Sequence, residues 1–221
     1  MNRTISITGK AKVTAPADIT VVKARVYGIA EDFGMAFRAL ADITKSLRDA
    51  VEKAGIPRND LKTTDISIKQ HFKEVKTGTD RNGNAKYRKV QDGFEYRQRV
   101  SFEFPNDNSK LSNAIWNISK CDIEPEIDFS YRCSDARKKR AEALAMAAQN
   151  AKEEAETILS AVGAKLGRLV EVNRRSEVYE DYSDDHMIMC NRCIESAPEF
   201  DIEPEDDEFR QTVTMEWEID N

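Results

Sequence analysis

Glycine and proline number only 9 and 6 in 221 residues, which excludes a collagen-like or Pro/Gly-rich low-complexity chain. No stretch approaches the ~18 consecutive apolar residues that a membrane-spanning helix needs. The opening residues, MNRTISITGKAKV, hold neither the apolar region nor the small-residue cleavage site of a secretory leader. A cytoplasmic location is therefore expected, with a periplasmic or other extracytoplasmic one as the alternative if a signal peptide was removed; the initial Met favours the first. Cysteine is confined to four positions without a regular framework, which fits a reducing compartment better than a disulfide scaffold.

Catalytic signatures are equally sparse. The two histidines, His71 and His186, are far apart, and there is no Gly-x-Ser-x-Gly elbow, phosphate loop or Gly-x-Gly-x-x-Gly turn. Acidic residues are plentiful, but no pair is set apart by spacing as acid and base. The expectation is a protein that is not an enzyme.

What the chain does have is apolar patterning and charge. Hydrophobic residues make up 40% and charged residues 33%, the balance of a folded protein and not of a disordered one. A globular chain of this length buries about 70% of the surface its unfolded form exposes, enough for a core without metal or disulfide staples. One domain over residues 1–221, or two intimate subdomains, would accommodate it. Residues 177–208 carry 13 acidic side chains and one basic one, Arg192, so that segment stands at −12 and the remainder at +6 within a total of −6. Like charges so dense repel, and an irregular solvated loop is expected there.

Residues 3–14 and 18–29 read as two strands joined through Ala15-Pro16-Ala17-Asp18 into a hairpin. From Phe33 to Ala54 the period lengthens, and Ala36, Phe37, Leu40, Ile43, Leu47, Ala50 and Val51 share one face of a helix ended by Gly55-Ile56-Pro57. Strand character returns at 61–75, with Ile66, Ile68 and Phe72 on one face. The polar tip 78–84 holds an Asn-Gly pair that signals a hairpin. In the next strand Phe94, Tyr96, Val100, Phe102 and Phe104 alternate with Glu95, Arg97, Arg99, Ser101 and Glu103, one face buried and one wet. Asn108 or Ser109 caps a short helix, and a strand spans 124–132. Ser134 or Asp135 then caps the longest helix, whose seam is read as Ala141, Leu144, Ala148, Ala151, Ala155, Ile158 and Val162, with Gly163 closing it. Residues 166–182 and 209–219 complete the strands. The fold class is α+β, with a twisted and largely antiparallel sheet or sheets of about seven strands and three helices in the order ββα-ββ-αβα-ββ.

Four stretches, in this order, carry a resemblance: ISITGKAKVTAPAD, AGIPRNDLKTTDISI, SDARKKRAEALAMAAQNAKEEAETILSAVGAKLGRLVEV and the strand that follows Ile202-Glu203-Pro204. Together they resemble the SIMPL-domain family, to which bacterial periplasmic immunogenic proteins belong. The resemblance implies an α+β fold without a known catalytic site and, in some bacterial relatives, assembly into large rings. Those relatives commonly carry a signal peptide, and the two-cysteine loop 183–200 departs from the pattern.

Three groups of residues stand out as candidate sites. Cys190 and Cys193 form a Cys-x-x-Cys pair with His186 four residues earlier, a partial zinc ligand set that lacks its fourth member; a redox dithiol is the other use of such a pair, and unmodified loop thiols are the plainer reading. Cys121 and Cys133 flank an extended strand and are too far apart for an intramolecular bond, so packing positions are expected. Arg137, Lys138, Lys139 and Arg140 occupy the first turn of the longest helix, where the macrodipole favours anions. They are either an anion or acidic-partner site or a solvated face offset by Lys138 with Glu142. On the hairpin, Lys69, Lys73, Lys76, Arg81, Lys86, Arg88, Lys89, Arg97 and Arg99 are interleaved with Phe72, Tyr87 and Tyr96, a pattern that contacts nucleic acid or protects a sheet edge. The net acidity of the chain argues for edge protection. The sequence thus points to a noncatalytic self-assembling scaffold without a cofactor, its partners a second copy and an unidentified protein. A thiol or zinc module at His186, Cys190 and Cys193 is the alternative.

Overall fold

The computed structural model describes residues 3–79, 85–123, 125–174, 186–188 and 198–220. In chain order the elements are β1 (Thr4–Ala15), β2 (Ile19–Ala30), α1 (Phe33–Lys53), a 3-10 turn (Arg58–Asp60), β3 (Lys62–Thr79), β4 (Ala85–Pro105), α2 (Asn108–Ser119), β5 (Glu126–Arg132), α3 (Ala136–Ala161), β6 (Lys165–Arg174), β7 (His186–Ile188) and β8 (Asp207–Asp220). This is the expected α+β order, with β7 as an additional three-residue strand inside the segment expected to be irregular. The elements form two compact units, Met1–Asp18 with Tyr131–Ser183 and Glu203–Asn221, and Ile19–Ser130 with Asp184–Ile202.

The first unit is a sheet in the order β1-β8-β6 with α3 against it. Both pairings are antiparallel, and the β1–β8 register runs unbroken from Thr4↔Glu218 to Ala15↔Asp207. Ile5, Ile7 and Val13 on β1 share a face with Phe209, Met215 and Trp217 on β8, because side chains two apart in a strand point the same way. The buried seam of α3 is Ala143, Ala147, Ala151, Ala155 and Leu159, a strict four-residue ridge. Of the seam expected from sequence only Ala151 and Ala155 are buried; Ala141 is exposed, Leu144 and Ala148 are half-buried, and Val162 is 72% exposed. The reason is steric. A Cβ on Gly9 would stand 2.0 Å from the Ala147 carbonyl oxygen and 2.7 Å from the Ala151 nitrogen, so strand and helix meet backbone to backbone and only the smallest side chains fit.

The second unit is a sheet in the order β3-β4-β2-β5-β7. The β2–β4, β3–β4 and β5–β7 pairings are antiparallel. The hairpin expected between β1 and β2 does not form. β1 pairs with β8 and β2 with β4, because Ala15-Pro16-Ala17-Asp18 offers none of the positive-φ residues that a tight strand turn uses. Helix α1 packs on β4 and β2 through Ala36, Leu40, Ile43, Leu47, Ala50 and Val51. Phe37, also assigned to that face, is 63% exposed; it sits about 60° round the helix from Leu40, on the shoulder of the stripe. The sheet answers with Val22, Ala24, Val26, Val100, Phe102 and Phe104, and Gln98 is buried in the same row. The Gln98 amide donates to Thr44 Oγ1 at 2.8 Å, and that hydroxyl donates to the Leu40 carbonyl at 2.7 Å.

Helix ends follow the usual chemistry. Asp32 caps α1 by accepting from the Met35 amide, and Asp107, not Asn108 or Ser109, caps α2 by accepting from the Lys110 amide. Gly55 and Gly163, both at positive φ, close α1 and α3 as expected. At the start of α3 neither expected cap operates. Asp135 occupies the cap position without a side-chain bond, while the Ser134 amide and hydroxyl both donate to the Asp18 carboxylate.

Candidate functional site

The most unusual surface is the far half of the β3–β4 hairpin. β2 flanks β4 from Pro105 to Phe94, so, among the described residues, positions 85–93 of β4 pair with β3 alone. The change occurs at Gly93, where a Cβ would stand 2.3 Å from the Ala30 carbonyl oxygen, opposite a register shift between Gln70 and Phe72. Such shifts bend a strand and increase its twist. Beyond that point the hairpin is a two-stranded ribbon carried as far as Thr79↔Ala85.

Cross-strand pairs set the two faces of this ribbon. Phe72 with Gln91, Glu74 with Lys89 and Lys76 with Tyr87 share one face; Lys73 with Val90 and Val75 with Arg88 share the other. Both are wet. Phe72 is 49%, Val75 39% and Tyr87 61% exposed. Among the described residues of the ribbon Lys73, Lys76, Lys86, Arg88 and Lys89 stand with two carboxylates, Glu74 and Asp92, and one of these is taken by the Lys73–Asp92 pair at 2.8 Å. Of the basic residues expected here Arg81 lies outside the described residues, Arg97 pairs with Glu95, and Tyr96 stands beside Gly28 in the sheet.

Nearer the body, one face of the sheet holds an open hollow of about 330 Å³ lined by residues of β2, β3, β4 and β5, among them Lys23, Arg25, Thr64, Arg99, Ser101 and Asp128. Arg25 and Arg99 stand directly opposite each other across the β2–β4 ladder, an arrangement that repels. Arg25 is compensated by Asp128 Oδ2 at 2.5 Å and Glu126 at 3.5 Å. Asp128 is 2% exposed, and the guanidinium is the partner of this buried side chain. Sequence reading missed this pair; the signal was a carboxylate between Ile127 and Phe129 in the strand read over 124–132.

The other expected sites are distributed differently. Arg137, Lys138, Lys139 and Arg140 do occupy the first turn of α3, but Lys139, not Lys138, pairs with Glu142, at 3.0 Å, and this raises the pKa of the Lys139 ammonium. Arg140 lies over the Phe209 ring at 5.6 Å. The backbone of His186 lies in β7 opposite Phe129, while Cys190 and Cys193 lie outside the described residues. Among the described residues no three metal-ligating side chains come together. Cys121 and Cys133 are free thiols in packing positions, and burial pushes the Cys121 thiol up. The acidic segment is anchored where it returns: Phe200 lies 6.4 Å from the Phe129 ring and donates its amide to Ser112, and Asn108 donates to the Ile202 carbonyl.

No helix among the described residues is long and apolar enough to cross a membrane. Residues 5–217, nearly the whole chain, match the SIMPL family, which is described as a protein of unknown function (DUF541). No curated protein matches the chain.

Proposed function

The chain belongs to the SIMPL family, and from that premise we propose that it is a noncatalytic, self-assembling interaction protein. The observation that carries the reading is the ribbon beyond Gly93, where two strands project with Phe72, Val75 and Tyr87 exposed. A lone two-stranded hairpin is marginally stable in water, and its apolar side chains gain stability when another surface covers them. A sheet edge among the described residues supports the same reading. β6 is an edge strand with Leu169, Val170 and Val172 about half exposed, and exposed strand edges are templates for pairing with another chain.

The test is molar mass in solution. Multi-angle light scattering at micromolar concentration is expected to give a defined multiple of the 25.1 kDa chain. A mass of one chain across that range refutes self-assembly.

A further inference from the structure

We propose that the hollow on the five-stranded sheet binds a small sugar or polyol phosphate, its phosphate held by Arg99 and Lys23 and one of its hydroxyls donating to Asp128 Oδ1. The inference goes beyond the self-assembly reading and does not depend on it. Its first support is a polar atom without a partner. Ile127 and Phe129 are buried in the core, and Asp128 between them turns to the opposite face of the sheet, where it lines the hollow. Its Oδ2 is taken by Arg25, while Oδ1 is buried with no hydrogen-bond partner among the described residues. A buried acceptor left so costs its desolvation, and a donor brought by a ligand recovers it. The second support is charge. Among the lining residues Lys23, Arg25 and Arg99 stand against Asp128 alone. Arg25 is engaged by Asp128 and Glu126, whereas neither Arg99 nor Lys23 is in an ion pair among the described residues, although Asp65 stands opposite Arg99 on β3. The excess of positive charge suits a phosphate monoester, at about −1.5 to −2 near pH 7, better than a zwitterion, whose ammonium would meet three cations. A guanidinium grips phosphate through two parallel hydrogen bonds, and an anion beside Arg99 offsets its repulsion with Arg25 across the ladder. The group that meets Asp128 is a neutral hydroxyl, because Arg25 already matches the charge of that carboxylate. Arg99 on β4 and Asp128 on β5 are two interstrand spacings apart, about 10 Å, with β2 between them, a distance that the Arg99 side chain and a phosphorylated polyol together cover. Thr64 and Ser101 add hydroxyls to the wall for the remaining ligand hydroxyls.

The experiment is calorimetric titration of the full chain with glycerol 3-phosphate and glucose 6-phosphate, with methyl phosphate and glycerol as the two halves of the ligand. At least one of the first two is expected to fill one site per chain with a dissociation constant below about 1 mM; saturation by neither overturns the proposal. Methyl phosphate, which brings the anion and no hydroxyl for Asp128, is expected to bind at least about fivefold more weakly, and glycerol not at all. Methyl phosphate as tight as the larger ligands overturns the Asp128 contact without any change to the chain. Malate tighter than both phosphates overturns the ligand class in favour of a hydroxylated dicarboxylate. Arg99 and Lys23 are at exposed positions, so their substitution tests the site without emptying the core. Arg99→Gln is expected to weaken binding at least about tenfold and to leave the urea midpoint at or above that of the parent, since it removes one of two opposed cations. Lys23→Gln is expected to weaken it about threefold. Unchanged affinity in Arg99→Gln overturns the site. Lys45→Gln, which removes a cation from the exposed side of α1, is expected to bind as the parent does; a loss there equal to that of Arg99→Gln would mean attraction to the charge of the whole chain and overturns the site as well.

Discussion

Both units lay a helix on an antiparallel sheet, yet they hold it in opposite ways. In the five-stranded unit α1 faces β2 and β4 through Leu40, Ile43, Leu47 and Val51, and the sheet returns Val22, Val100 and Phe102, so interdigitated side chains fill the gap. In the three-stranded unit α3 offers Ala143, Ala147, Ala151 and Ala155, and β1 offers Gly9, so main chains touch and little side-chain volume intervenes. The difference teaches which change each interface tolerates. A gap filled by side chains is sensitive to atoms removed; a contact between main chains is sensitive to atoms added.

The largest effect is expected at Gly9. In Gly9→Ala the new methyl would stand 2.0 Å from a helix carbonyl oxygen, which is backbone and has no rotamer to yield, so a loss on the order of 3 kcal/mol or more is expected in urea unfolding. A neutral Gly9→Ala would mean that α3 slides freely on β1, and the contrast between the units would collapse. Leu47→Ala, at a fully buried position of α1, should cost about 3 kcal/mol by leaving a cavity. The same interface should absorb a volume-conserving Leu47→Met at under about 1.5 kcal/mol, a tolerance with no counterpart at Gly9.

A smaller effect sharpens the contrast through the buried Gln98 amide of the five-stranded unit. Thr44→Val leaves the Gln98 side chain without its hydroxyl partner and should cost about 1–2 kcal/mol. Replacing Gln98 with Leu in that background removes the orphaned amide, so the double variant should recover part of the loss. A double variant less stable than Thr44→Val alone would show that the amide has another role in the core.

These two interfaces also explain which parts of the fold are legible in the sequence. The stripe of α1 was legible because Leu, Ile and Val recur at helical spacing among polar residues, and six of its seven assigned positions are buried. Helix α3 was not, because alanine occurs at 141, 143, 147, 148, 151 and 155 and so supplies two overlapping seams. The larger Leu144, Ile158 and Val162 pulled the reading toward the wrong one. What selects the true seam is a glycine more than 130 residues away on β1, and no local pattern reports that. The same distance defeats the β1–β2 hairpin, since the partner of β1 is the last strand of the chain. Of the candidate surfaces, the hairpin and its charges were readable from the polar tip and the alternation of Lys and Arg. Its projection beyond β2 was not, because the end of a strand's lateral partner leaves no mark on the strand itself. The return of the acidic segment to α2 did leave one: Phe200 and Ile202 are apolar residues inside a run of carboxylates, and both are held.

The smallest expected effect concerns how the start of α3 is held, and it is a pH dependence. Ser134 does not cap the helix; its amide and hydroxyl both donate to Asp18, and those bonds, hydroxyl first, hold the Asp18 carboxyl below its ordinary 3.8. Glu208 is likewise held below its ordinary 4.5 by Lys12 and Arg210. A carboxyl whose pKa is lower in the folded chain binds its proton more readily when unfolded. Its contribution is therefore complete above the unfolded pKa and disappears as pH falls through the folded one. Stability of the three-stranded unit should thus decline in acid through Asp18 and Glu208, and Asp18→Asn should flatten that limb while changing little at neutral pH beyond the lost charge. Ser134→Ala supplies the closer test, since removing the hydroxyl should return the Asp18 titration, followed by NMR of its carboxyl carbon, toward 3.8. An Asp18 titration unmoved by Ser134→Ala would mean that the serine does not hold it, and that α3 starts without the tie to the loop after β1 that replaces its missing cap.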